Sequence, residues 1–219
     1  MIKVHVFDLD NTITRVDTLK FFIFYYVLRH PHLYFSSILF SFLIPFYLFG
    51  FKSGSWLKEK FVEKCLKNEK RVVIEKESHK FSHIISNYFL NKKTKKILSK
   101  LSNEQDNFML LISASFDIYV SKLGELIGFK EGNIFGTELE FDKDRLTGKI
   151  IGSNLFGINK VKKYEKWLIE KKINEKHEIY FYSDHHRDIP FFEISHHKIL
   201  VNPTQKLKEK YLNTNHVTL

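Results

Sequence analysis

The sequence predicts an α/β fold: a parallel sheet whose chain is interrupted early by one long, all-helical insertion. Three observations predict it. Short apolar runs near residues 4–7, 108–112, 179–182 and 198–201 read as strands, and helically spaced segments lie between them. The runs at 108–112 and 179–182 are continuous rather than alternating, as expected for strands covered on both faces. Polar groups with chemical potential follow three of the four runs directly. In parallel sheets with helices on both faces, ligands bind beyond the carboxyl ends of the strands.

The first element is Val4-His5-Val6-Phe7, which ends in Asp8-Leu9-Asp10-Asn11-Thr12. Carboxylates at i and i+2 of an extended chain point to one face and repel each other. Taking such a pair out of water is costly unless a cation compensates it, and a hard divalent ion bound through oxygen suits it best. An isolated Asp-x-Asp is more often a turn. Its place at the end of a strand, together with matching groups downstream, argues for a site.

After Thr18 the chain becomes very apolar. Residues 21–28 read Phe-Phe-Ile-Phe-Tyr-Tyr-Val-Leu, Arg29-His30-Pro31-His32 interrupts, and Leu33–Phe51 then runs without a charged residue. Three readings of that run stay open: helices buried inside an inserted lobe, a helix or hairpin lying in a membrane surface, or a true span. Pro45, Gly50 and three serines weigh against the span. Residues 56–102 carry apolar positions at helical spacing among lysines and glutamates and are expected to be helical throughout, with a connecting helix near 92–101. These features place a helical cap at 17–90 and a core at 1–16 and 91–219.

Phe108–Ile112 is the next strand, ending in Ser113-Ala114-Ser115, with a helix from about Asp117 to Ile127. Residues 134–141 and 146–150 suggest a hairpin turning at Asp142–Arg145. An amphipathic helix is expected over 159–172. Ile179–Tyr182 is a buried strand running into Ser183-Asp184, and Lys198–Val201 a last strand before a short basic helix.

The chain has 219 residues, 43 % hydrophobic and 16 % aromatic, enough for one sizeable core with a small lobe. A single cysteine, Cys65, excludes an internal disulfide and suggests a reducing compartment. With no signal-peptide pattern at the N-terminus, a cytoplasmic protein is expected, at the inner face of the membrane if the apolar run binds lipid. The net charge is +10, and residues 52–110 carry 14 basic against 7 acidic side chains. Such a block suits an anionic surface or a phosphorylated substrate, or is simply the solvated face of lysine-rich helices. No nucleic-acid recognition motif accompanies it, so no specific nucleic-acid partner is expected.

Phe7-Asp8-Leu9-Asp10-Asn11-Thr12 resembles the first motif of the haloacid dehalogenase (HAD) superfamily of phosphohydrolases, Asp-x-Asp-x-Thr. Ser113 is similar to its second motif. Lys160, in Gly157-Ile158-Asn159-Lys160-Val161, is similar to the third, with Lys162 and Lys163 as competitors. Asp184 and Asp188, in Ser183-Asp184-His185-His186-Arg187-Asp188, resemble the fourth. The motifs occur in the family's order over nearly the whole chain. The insertion after the first motif marks the phosphoserine-phosphatase-like subclass, with a helical cap on a HAD-like Rossmannoid core.

The resemblance implies a phosphate monoesterase. Asp8 would be the nucleophile and Asp10 the proton donor and acceptor. Asp8, the backbone carbonyl of Asp10, Asp184 and, through water, Asp188 would hold Mg²⁺. Ser113 and Lys160 would bind the phosphate. Thr12, Asp17 and Arg187 are the substrate-side candidates: Thr12 by setting the loop, Asp17 where phosphoserine phosphatases carry a substrate-binding Glu, and Arg187 where relatives carry Asn. His185 replaces the usual Ser, and His185 and His186 are expected to be exposed. No match for a substrate-clamping cap Arg is evident. The Tyr25–Pro31 stretch with the apolar run resembles type C phosphatidylglycerophosphate phosphatases, so the expected substrate is a phosphorylated small molecule or a lipid phosphate at a membrane surface.

Overall fold

The computed structural model describes residues 2–104, 107–173, 176–212 and 216–219. Six strands form one sheet in the order β3-β2-β1-β6-β7-β8. They are β1 (Ile2–Phe7), β2 (Asn107–Phe116), β3 (Ile134–Thr137), β6 (His177–Ser183), β7 (His197–Leu200) and β8 (Val217–Thr218), and every pairing is parallel. The antiparallel pair β4 (Leu139–Asp142) and β5 (Arg145–Ile150) stands apart. The expected hairpin is therefore shifted: residues 134–137 join the main sheet, and the hairpin starts only at Leu139.

Alternation along each strand sorts the side chains onto two faces. Val4, Val6, Leu110, Ile112, Ile179 and Phe181 share one core with helices α8 (Ile158–Glu170), α9 (Ile189–Ile194) and α10 (Gln205–Tyr211). Phe7, Leu111 and Tyr182 belong to the other core, with α7 (Asp117–Leu126) and much of the helical insertion.

That insertion contains α1 (Thr18–Arg29), α2 (Tyr34–Ser41), α3 (Ile44–Leu48), α4 (Gly54–Phe61) and α5 (Arg71–Tyr88), and α6 (Lys92–Leu101) returns the chain to β2. The helical stretch expected over 56–102 is broken at Lys67–Lys70, where Asn68 takes φ of 70°, and again before Asn91, whose side chain caps α6 through the Lys93 N–H. Phe22 of α1 meets Phe81 of α5 and Tyr119 of α7 with ring centroids 5.2 and 4.9 Å apart. The insertion thus shares its apolar interior with one face of the sheet instead of closing a core of its own.

The apolar run of residues 33–51 lies largely outside that interior. Leu33 and Phe40 are buried, but Phe35, Phe42 and Phe49 are 73, 68 and 76 % exposed, and Ile38, Leu39, Phe46, Leu48 and Phe51 are exposed as well. Of the three readings, helices buried inside the lobe fits this run least: α2 buries Phe40 and α3 no residue, with a break between the two helices at Phe42 and Leu43. Among the described residues no helix is long and apolar enough to cross a membrane.

Candidate active site

Strand register places the site. Phe7, the last residue of β1, pairs with Leu111 on one side and Tyr182 on the other; β6 runs one residue further, to Ser183, and β2 continues past the expected end at Ile112 as far as Phe116, so Ser113 lies inside that strand. The Asp8 N–H continues the ladder to the Tyr182 carbonyl at 2.9 Å. Asp8, Ser113 and Asp184, far apart in sequence, therefore emerge along one edge.

Lys160 closes the group from the first turn of α8. Its Nζ donates to Asp8 Oδ1 at 2.6 Å and to Asp188 Oδ2 at 2.7 Å, and its side chain is 2 % exposed. Gly157 makes this approach feasible. It sits just before α8 with φ of 55° and ψ of −127°, where an added Cβ would lie 3.2 Å from the Arg187 carbonyl. Of the three lysines at this turn, Lys160 alone is buried; Lys162 is exposed and Lys163 half-buried, over the Phe135 ring.

The two serines near the strand ends are built alike. Ser113 Oγ accepts the Ser115 N–H at 3.0 Å, and Ser183 Oγ accepts the His185 N–H at 3.2 Å while donating to Asp188 Oδ2 at 2.7 Å. The Ser183 hydroxyl thus tightens the turn that follows β6, whereas Ser113 braces the backbone within the last residues of β2.

Asp10 has hydrogen-bond partners of its own. Its Oδ1 accepts the N–H and the hydroxyl of Thr18, both at 2.6 Å, and its Oδ2 accepts the Ser115 hydroxyl at 2.7 Å. The strand itself does not extend through the pair: β1 ends at Phe7, and the chain winds through Leu9–Ile13 with Asn11 at φ of 56°. Thr12 does help fix this loop, though through its backbone: its carbonyl accepts from Thr94 at 2.8 Å, and its own hydroxyl is buried without a hydrogen-bond partner among the described residues.

Burial raises the pKa of Asp8 and of Asp184, with Asp188 and the other's or Asp10's charge adding to it and Lys160 opposing. Burial likewise raises Asp10, with Asp17 adding and the Thr18 and Ser115 hydrogen bonds opposing. Lys160 is raised despite its burial, because Asp188 and Asp8 flank it. One ammonium thus faces Asp8, Asp184 and Asp188 together, and the excess negative charge is what a hard divalent cation would neutralise. The all-oxygen donor set fits Mg²⁺.

The remaining candidates are placed less centrally. Asp17 caps α1, accepting the Lys20 N–H at 3.0 Å and pairing with the Lys20 ammonium at 2.8 Å. Arg187 reaches from the strand-end loop toward the insertion, its Nη1 and the Tyr47 ring each 3.5 Å from where a Cβ on Gly54 would stand. His185 and His186 are half-buried rather than exposed; their rings lie 4.2 Å apart, and His185 Nδ1 accepts the Arg187 N–H at 3.0 Å. Burial lowers the His185 pKa to about 4, so the ring is a neutral acceptor there.

Sequence reasoning missed Lys58. From α4 its Nζ donates to the Ala114 carbonyl, between the two serines of β2, and to Asn154 Oδ1 at 2.9 Å. Asn154 joins both parts of the chain, donating to Ser55 Oγ at 2.8 Å and accepting from Thr137 at 3.0 Å. Burial lowers the Lys58 pKa to about 7, with Asp10 opposing. Nothing in Trp56-Leu57-Lys58-Glu59-Lys60 distinguishes this lysine from its neighbours. Ser115, Ser183 and Tyr119 were missed as partners for a similar reason, since their roles depend on which strand ends meet.

Fold and site together define a class: an α/β enzyme whose site is built on carboxylates beyond parallel strands. The family model for haloacid dehalogenase-like hydrolases matches residues 5–193, and the chain belongs to that family. A histidinol-phosphatase of Neisseria meningitidis serogroup C (strain 8013) is 31 % identical over 104 residues, 46 % of this chain and 46 % of that one. The chain thus aligns with less than half of that relative. A protein of unknown function from Bordetella pertussis Tohama I superposes with a TM-score of 0.81 at 20 % identity, covering 99 % of both chains. A substrate-bound phosphoserine phosphatase superposes with a TM-score of 0.65 at 20 % identity, covering 100 % of this chain and 93 % of that one. At such identities the structural likeness speaks for the fold.

Proposed function

We propose that this chain is a Mg²⁺-dependent phosphatase that hydrolyses a phosphate monoester through an aspartyl phosphate on Asp8, with residues 17–90 acting as the cap. The observation that carries the reading is the Asp8 carboxylate at the end of β1, bound through one oxygen by the buried Lys160. The other oxygen of Asp8 attacks phosphorus, an O–P bond forms, and the bond to the leaving alcohol breaks. Asp10, its carboxyl pKa raised and its position held by Thr18 and Ser115, gives the proton to that alcohol. It then takes a proton from the water that cleaves the aspartyl phosphate. Ser113 and Lys160 bind phosphate oxygens. Asp8, Asp184, the Asp10 carbonyl and, through water, Asp188 would hold Mg²⁺, which when bound would supply charge compensation at the phosphoryl group.

For the substrate, the favoured class is a lipid phosphate such as phosphatidylglycerophosphate. The exposed aromatic segment α2–α3 supports it, because single-chain soluble proteins rarely leave so large an apolar patch uncovered. Tyr47 on that segment stands near Arg187 of the strand-end loop, which links the apolar surface to the mouth of the site. An interfacial segment buries such side chains at the acyl boundary, and nearby lysines add attraction to anionic headgroups. A second reading is a small soluble phosphate ester, favoured by the relative named histidinol-phosphatase.

Asp8→Asn tests the mechanism on an aryl phosphate with Mg²⁺. Loss of turnover by several orders of magnitude is expected, and substantial remaining turnover would overturn it. A phosphate-release screen of lipid and soluble monoesters, run with vesicle co-sedimentation, decides the substrate class. A protein that stays in the supernatant with anionic vesicles and prefers a small polar ester is not a lipid phosphatase.

A further inference from the structure

Away from the strand ends, one group of side chains in the described residues has metal-ligating chemistry: His30, His32 and Glu69. We propose that these three form a second metal site, for a zinc-type cation, which ties the corner between α1 and α2 to the loop before α5. One ligating atom from each lies within 4.8 Å of the other two.

The group is presented by backbone that is already fixed. His30 closes α1, its N–H donating to the Val27 carbonyl at 3.1 Å, and Pro31 starts the short 3-10 turn Pro31–Leu33 that carries His32. Glu69 sits in the break between α4 and α5, its N–H on the Leu66 carbonyl at 3.1 Å and its own carbonyl taken by the Leu146 N–H at 3.0 Å. A bound cation would therefore connect the base of the apolar segment to a loop that is itself paired with β5.

The side chains are oriented as metal ligands usually are, by partners behind them. Tyr26 donates its hydroxyl to Glu69 Oε2 at 2.6 Å, and its ring stacks on His30 with centroids 4.2 Å apart. The other carboxylate oxygen of Glu69 faces His32 Nε2 at 2.7 Å. The His30 Nε2 is buried with no hydrogen-bond partner among the described residues, so the ring lacks the satisfied contacts of an ordinary structural histidine.

Two imidazoles and a carboxylate suit Zn²⁺, with a fourth position left for water, and suit Mg²⁺ poorly. The strand-end site, all oxygen, has the opposite preference. His32 is exposed and can swing inward to tighten the group without disturbing the interior.

The test is a Zn²⁺ titration of chelator-stripped, full-length protein by calorimetry in excess Mg²⁺, with a parallel thermal melt. The wild type is expected to bind one equivalent that Mg²⁺ does not displace and that raises the melting temperature. The Asp8→Asn/Asp184→Asn double variant keeps that equivalent, which separates it from zinc at the strand ends. His32→Gln weakens it by at least about 100-fold and abolishes the thermal gain, while Tyr26→Phe, which keeps all three ligands, weakens it about 10-fold. Zinc bound as tightly by His32→Gln as by the wild type overturns the proposal. So does a wild type whose every zinc equivalent disappears in the double variant.

Discussion

Lys160 Nζ meets Asp8 Oδ1 at 2.6 Å across 152 positions of sequence, inside a site where both side chains are nearly inaccessible. Removing one partner of such a buried pair leaves the other charge uncompensated, at about 3–5 kcal/mol. Lys160→Met is therefore expected to destabilise the fold on that scale, measured by urea denaturation. It should also lower kcat on an aryl phosphate by about 10²–10³-fold, since a donor to the developing charge is lost.

The acids at the strand ends set a pH dependence of stability. Burial raises the folded pKa of Asp8 to about 7 and of Asp184 to about 8, above the ordinary carboxylate value of 3.8. Between those values the native state holds more protons than the unfolded chain, so stability falls as pH rises through the window. Without metal, the melting temperature should fall between about pH 4 and pH 8 by this contribution. Added Mg²⁺ should stabilise the protein more at pH 8 than at pH 5, because it competes with protons for the same oxygens. A thermal-melt series at several pH values, with Mg²⁺ and with chelator, measures both slopes.

Gly157→Ala tests how Lys160 is delivered. At φ of 55° and ψ of −127° an alanine is strained, and its Cβ would stand 3.2 Å from the Arg187 carbonyl. A loss of about 1–3 kcal/mol is expected by denaturation. Activity should fall as well, because the first turn of α8 shifts away from Asp8.

Lys58 reaches the β2 end from α4, donating to the Ala114 carbonyl and Asn154. The single hydroxyl proton of Thr137 can go to one of these acceptors, so removing the lysine leaves the other without this donor. Lys58→Met should therefore cost about 1–3 kcal/mol of stability. Its larger effect is expected on KM for an anionic substrate, read from steady-state kinetics, with a smaller change in kcat.

The exposed aromatic segment gives a test with little structural risk. Phe42→Glu and Phe49→Glu change side chains that are 68 and 76 % exposed, so the melting temperature should hold. Turnover of a soluble aryl phosphate should hold too. Co-sedimentation with anionic vesicles should fall sharply, and unchanged sedimentation would separate membrane binding from this surface.

By itself the sequence determined the order of strands and helices, the carboxylates at the end of β1, and the acids after β6. These features are local: continuous apolar runs read as covered strands, and a polar group directly after such a run must stand at the sheet edge. What only the tertiary structure decided depends on which elements meet. The chain winds after Phe7, and Asp10 and the Thr12 carbonyl are held there by Thr18, Thr94 and Ser115 from other segments. Lys58 is chemically one lysine among many, and only its reach from α4 to the Ala114 carbonyl of β2 in the folded chain removes it from water. The run from Leu33 to Phe51 is apolar enough for an interior, yet it stays outside. Composition measures how strongly a segment avoids water, whereas the number of neighbours able to cover it is a property of the folded chain.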